Sequence, residues 1–199
     1  MTDNENSQKL TAKRPAAYAD QVLPAVPRVL GLFDGNEASP TYGCGDRQFW
    51  YYRTLTEFPG ATWQQPMLGF AVLHNAESED NPYAGDGRVL AAARAGLAFW
   101  CTTQNRDGSF NEWYRNEHSY CPTAFTAAGA AQTVLELGNR IPTIERKAAI
   151  DSLEKASVWL EGRFNESAMN QNAAAALALW ALWRITDAPR WLAATEEKY

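Results

Sequence analysis

The 199-residue chain has a mass of 22.1 kDa, a formal net charge of −5 and a pI near 5.1, with 18 Lys and Arg scattered rather than clustered. That length suits one domain with a sizeable core, and a chain with no basic stripe offers nothing to neutralise a phosphate backbone, which excludes nucleic acid as a partner. The polar start "MTDNENSQKLTAKR" has no apolar h-region behind it, and no apolar run approaches the roughly 20 residues that cross a bilayer, so the chain reads as cytoplasmic and free of the membrane.

Residues 1–41 read as an extended N-terminal arm. They are rich in Pro, Asn, Ala and charge, and Pro24 and Pro27 break "VLPAVPRVLGLF" before a helix can run, leaving Val29, Leu30, Leu32 and Phe33 as a docking patch. From residue 42 to residue 199 apolar side chains recur at helical spacing, and nothing alternates for long as a strand would.

Three segments in this second region look alike: "WQQPMLGFAVLH" from Trp63, "SYCPTAFTAAGAAQTVLEL" from Ser119 and "NQNAAAALALWALWRIT" from Asn170. Each opens with small polar or amide residues and continues as an apolar, small-residue helix. Pro66 and Pro122 fall in first turns, where a missing N–H is tolerated. These are the predicted inner helices. Before each lies a more charged segment with a tryptophan, at Trp50, Trp100 and Trp159, predicted as an outer helix with one wet face. The unit is helix, loop, helix, recurring about every 50 to 60 residues, a spacing typical of stacked supersecondary repeats. The chain is therefore expected to be all-α, an array of about three helical hairpins. A fourth outer helix begins near Asp187, whose carboxylate is placed to cap it with Pro189 in its first turn; it either opens a further unit of a longer array or closes the present one.

Cys44, Cys101 and Cys121 are odd in number and widely spaced, which fits reduced thiols rather than a disulfide framework. His118 and Cys121 have a spacing open to two metal ligands, but without a third and fourth nearby no metal is expected.

The paired outer and inner helices, with "QNRDGSF" closing an outer one, resemble the α/α-toroid proteins: terpenoid cyclases and protein prenyltransferases, whose repeats carry a similar Gln…Asp-Gly-Ser-aromatic turn, and the polysaccharide lyases built on α/α barrels. The likeness covers residues 42–199 in architecture and residues 104–110 and 116–120 in motif. It implies that the loops from outer to inner helices share one rim. Gln64 and Gln65, Asn116, His118 and Tyr120, and Asn170, Gln171 and Asn172 are then expected to converge, with inner-helix N–H groups favouring an anionic ligand. Trp113, Tyr114 and Tyr120 would supply stacking surfaces, and Arg53 and Arg115 would pair with charge.

Within that rim "NEHSY" resembles the Asn-x-His-x-x/Tyr pattern of alginate-lyase-like α/α barrels. The resemblance implies β-elimination on a uronate polysaccharide without a cofactor, with Asn116 neutralising the carboxylate, His118 as base and Tyr120 as acid. Glu117 and Cys121 depart from it, standing where those lyases often carry an uncharged residue and Trp, and so does the polar start, since such lyases usually act outside the cytosol. A non-catalytic repeat module binding a glycan or protein is the alternative from another class. A terpenoid-cyclase-like protein ranks third, because the aspartate-rich motif is missing and "ESEDNPYAGDG" reads as a solvated loop. Glu112 is a candidate glycosidase acid with no second carboxylate to pair it.

Structural roles stand beside these. Asn116 is open to capping a turn, His118 to bonding a neighbouring carbonyl, Tyr120 to packing on the Trp100 helix, and Asn170, Gln171 and Asn172 to capping. Asp107-Gly108 is a turn, and Trp50, Trp100, Trp159, Trp180 and Trp183 lie at core spacings.

Overall fold

The computed structural model describes residues 22–198; the first half of the expected extended arm lies outside the described residues. Among the described residues there are eight α-helices and no strand. They are α1 (Val26–Leu30), α2 (Arg47–Trp50), α3 (Pro66–Asn75), α4 (Gly87–Thr102), α5 (Tyr120–Leu137), α6 (Thr143–Glu161), α7 (Met169–Thr186) and α8 (Pro189–Glu196).

The helices pack in two rows. The predicted inner helices α3, α5 and α7 lie side by side, with α5 in the middle against both neighbours, while α4 packs on α3 and α6, and α8 on α7. Composition explains the inner row: Ala124, Ala127, Ala130, Ala131, Ala175 and Ala178 are buried, and side chains this short let helix axes approach closely. Hydroxyls inside α5 satisfy themselves locally. Thr126 Oγ1 donates to the Pro122 carbonyl and Thr133 Oγ1 to that of Gly129, each at 2.7 Å. The outer row supplies bulk, with Trp100 and Trp159 buried and the Trp100 indole donating to Thr126 Oγ1 at 2.9 Å. Its far face is wet, and carries ion pairs such as Lys147 to Asp151.

Three local expectations are corrected. The outer helix predicted around Trp50 runs for a single turn: Asp46 caps it through the Gln48 N–H, Tyr51 is already extended, and Thr54 adopts φ 25°. Short turns fill that outer position instead. Pro24 and Pro27 do not prevent helix in the arm, because Pro27 falls in the first turn of α1, where no N–H is required. Asp187 does not cap α8; it ends α7 as a left-handed residue at φ 56°, and Ala188 holds the α8 N-cap position. The docking patch is seated, with Phe33 buried edge-on to Phe70 at 5.1 Å and Val29, Leu30 and Leu32 against the same core.

Candidate functional site

Residues 104–120 connect α4 to α5, and their course follows from a few contacts. Gly108 has φ 96°, and a Cβ there would lie 2.2 Å from the Lys155 carbonyl oxygen, so only glycine lets this turn lie against α6. Gln104 Nε2 ties the turn down by donating to the Gly108 and Ser152 carbonyls at 3.0 and 2.8 Å. An antiparallel bridge between Phe110 and Ser119 closes the loop. Glu117 holds the tip, its Oε2 accepting the N–H groups of Glu112 and Trp113 at 2.7 and 2.8 Å. A carboxylate stands at this position because it organises the loop.

The closed loop delivers His118 to Asp107. Asn116 and His118 both take left-handed conformations, at φ 57° and 51°, which Asn and His adopt more readily than most residues. Asn111 Oδ1 accepts the His118 N–H at 3.0 Å. His118 Nδ1 then lies 2.9 Å from Asp107 Oδ2 and 2.8 Å from Ser109 Oγ. The hydrogen bonds around Asp107 favour one arrangement of the protons. Asp107 Oδ1 accepts the Ser109 N–H at 3.1 Å and hydroxyl at 2.6 Å, and Oδ2 accepts the Trp159 indole N–H at 3.1 Å. Three donors besides His118 converge on Asp107, so its carboxylate serves as an acceptor, and the Ser109 hydroxyl directs its proton to Oδ1. An Nδ1–H donated to Asp107 satisfies this set of contacts, and in the neutral ring it would leave Nε2 as the acceptor. The His118 side chain is 42% exposed. Desolvation pushes the Asp107 carboxyl up, but the hydrogen bonds from Ser109 and His118 outweigh it and hold the group below the usual carboxylate range. Ser109 is fully buried, which bars it from meeting a substrate as a nucleophile.

Tyr120 is linked to the same cluster through Trp159. Its ring centroid is 6.2 Å from that of Trp159, and its hydroxyl donates to Asn172 Oδ1 at 2.9 Å. Burial pushes the phenol above its ordinary pKa, so it stays protonated through the neutral range. Arg163 lays its guanidinium 4.1 Å from the Trp159 ring centroid.

The inner-helix mouths adjoin in sequence. Ala61 N–H donates to the Asn111 carbonyl at 3.0 Å and Thr62 Oγ1 to Glu112 at 3.2 Å, joining the first to the second; the Tyr120 to Asn172 bond joins the second to the third. Not every candidate side chain faces this rim. Gln64 is buried, its amide spent on the backbone of Gly43, Gly45 and Gly96. Asn172 is also buried, bonding both backbone groups of Asn165, while Gln171 accepts from the Asn165 side chain. Gln65 and Asn170 are exposed. Arg115 donates to the Glu57 carbonyl at 2.6 Å, and Arg53 stacks over Tyr52 at 5.4 Å. Trp113 and Tyr114 project outward, 73% and 72% exposed. Asn116 is exposed on the same loop.

Sequence reasoning treated Asp107 chiefly as a turn and Trp159 as core, and it passed over Ser109 and Arg163. The four-residue spacing from Trp159 to Arg163 was the available signal, since it lets a cation just past the end of a helix fold back over a ring in its last turn. Among the described residues no group of three or more His, Cys, Asp or Glu side chains converges as metal ligands would. Comparison with known proteins returns no match: no family model fits the chain, and neither a curated protein nor a solved structure matches it.

Proposed function

We propose that the rim built by residues 104–120 is a carbohydrate site and that the chain is an α/α-toroid-type protein acting on acidic polysaccharide by β-elimination, with His118 as the base. The observation that carries this is the placement of His118: its Nδ1 lies 2.9 Å from the Asp107 carboxylate, and the partly exposed imidazole sits on a loop that also presents Trp113 and Tyr114 to solvent. A base of this kind removes the proton α to the uronate carboxylate. The electron pair forms the new C=C bond, the glycosidic C–O bond breaks, and the departing oxygen takes a proton. Tyr120, kept protonated by burial, is suited to supply it once substrate displaces Asn172. Asn116 is free to meet the carboxylate, and Arg163 adds positive charge near Trp159. Two rows of helices with adjoining mouths support the toroid part of the reading.

Incubation with several uronate polymers, followed by absorbance of the unsaturated ends, tests this directly. His118→Ala should lower the rate at least about 100-fold, the usual weight of a positioned base; undiminished activity in that variant would remove His118 from the role.

A second reading is a non-catalytic glycan-binding module. It is favoured by the mutual engagement of Tyr120 and Asn172, which leaves exposed Trp113 and Tyr114 as the foremost contact surface. Its signature is glycan binding without turnover, indifferent to His118→Ala.

A further inference from the structure

A pocket of about 300 Å³ lies between α2 and the turn that leads into α3, lined by Leu32, Arg47, Gln48, Tyr51, Leu55 and Trp63. Its volume is at the low end for small-molecule sites, with room for a sugar ring and little more. Two aromatic side chains stand in its wall. Trp63 is 45% exposed and Tyr51 37% exposed, two large rings left facing solvent at one place. Trp63 is held from behind, because Gly45 and Gly60 pack directly against its backbone and ring; a Cβ on Gly45 would fall 2.2 Å from the Trp63 carbonyl oxygen. An exposed aromatic on a rigid mount is a stacking platform, since the entropy of ordering it is already spent.

Charge on the pocket wall is arranged for an anion. The Arg47 guanidinium lies over the Tyr51 ring, 4.5 Å from its centroid, and its one hydrogen bond to protein, to the Gly31 carbonyl, is long at 3.4 Å. No ion pair involves Arg47 among the described residues. Asp46, which also borders the pocket, does not compete for an anion's place: it is buried, with Oδ1 accepting the Gln48 N–H at 3.0 Å and Oδ2 the Gly60 N–H at 2.9 Å. The Arg47 fork, supported on the Tyr51 ring, therefore retains unused donors in the pocket that Trp63 also lines.

The pocket also adjoins the His118 loop. Trp63 directly follows Ala61 and Thr62, the two residues that bond Asn111 and Glu112. Gly60 lies close to both the Trp63 ring and the Glu112 carbonyl, which sets that ring beside the loop that carries His118.

We infer that this pocket is a separate subsite for an acidic glycan chain, stacking one sugar ring on Trp63 and pairing its carboxylate with Arg47, whose guanidinium Tyr51 supports from below. It rests on the carbohydrate reading of the His118 rim and adds to it the length and charge of the ligand. The His118 loop alone holds the short end of a chain, and a longer acidic oligomer gains the second contact.

The test is calorimetric titration of the full chain with oligogalacturonates and oligomannuronates of increasing length, against neutral oligosaccharides of matched length. Affinity for the acidic series should rise in a step once the oligomer spans both places. Trp63→Ala and Arg47→Gln should each remove about tenfold of that step, while leaving the shortest binding oligomers unchanged. Both side chains are substantially exposed, and circular dichroism verifies that the variants fold; Tyr51→Ala supplies a third probe of the same walls. If long acidic oligomers bind in a His118-dependent way but ignore all three variants, the subsite is overturned and the rim reading stands. If no acidic oligomer binds, both fall.

Discussion

Asp107 shows how one side chain can set the chemistry of another. Its carboxylate accepts from Ser109, Trp159 and His118, so it aims the imidazole and also joins the loop to α6. Replacing it with Asn keeps the shape but puts an N–H₂ where two acceptor sites are needed. Asp107→Asn should therefore reduce turnover on any uronate substrate more than it reduces stability, the latter by about 1 kcal/mol in so exposed a site. The pH sign follows from the lowered carboxyl. Its contribution to stability is present above the ordinary carboxyl value of 3.8 and is lost as pH falls through the lower folded value, so urea midpoints between pH 5 and pH 2 should decline more steeply in wild type than in Asp107→Asn. Gln64 makes the contrasting case of a polar residue with purely internal duties. It alone satisfies the buried Gly45 N–H and contributes to the Gly43 and Gly96 carbonyls, so Gln64→Ala should cost about 2 to 4 kcal/mol by denaturant titration.

At the scale of elements, glycines decide where loops can lie. Gly108→Ala combines a disfavoured φ of 96° with a clash against the Lys155 carbonyl. It should destabilise by more than about 2 kcal/mol and free the His118 loop, read as a lower thermal midpoint together with higher amide exchange across residues 104–118. The long helices were legible because α4, α5, α6 and α7 each carry a helical period through four or more turns, and Pro66, Pro122 and Pro189 mark first turns. Around Trp50 the same signal misled, since a short aromatic run fits a helix or a set of turns equally well, and tertiary anchors such as the Trp50 indole bond to the Leu32 carbonyl chose the turns. The site was half legible. "NEHSY" marked the mouth of α5, but the pairing of His118 with Asp107 crosses 11 residues and depends on positive φ at Asn116 and His118, which residue types permit without dictating. Gln64, Asn170, Gln171 and Asn172 share helix mouths by register, while their facing depends on packing that no local spacing encodes.

Across the whole molecule, the two rows are closed at the first hairpin by the segment 33–46, which threads between α4 and the turn into α3 and carries Cys44 into the interior. Burial pushes the Cys44 thiol from 9.0 up to about 12, with the nearby Asp46 and Asp34 charges acting in the same direction. Below pH 9 the thiol is neutral in both folded and unfolded chains, and the native state has its full advantage. Between pH 9 and 12 only the unfolded chain ionises, so stability should fall with pH by up to about 1.4 kcal/mol per unit from this group. Cys101 and Tyr42, raised chiefly by burial, slope the same way, while Lys198, lowered chiefly by burial, opposes them. Comparing wild type with Cys44→Ala isolates the one contribution: the lost packing shifts the variant's curve by a constant, whereas its alkaline slope should be shallower. Labelling separates global from local opening. Cys121 is partly exposed and should react with a thiol reagent in the native state, whereas Cys44 should react only as fast as the chain unfolds, its rate climbing with urea in step with the global transition. A Cys44 rate indifferent to urea would mean that the 33–46 segment lifts off alone and that the two rows persist without it.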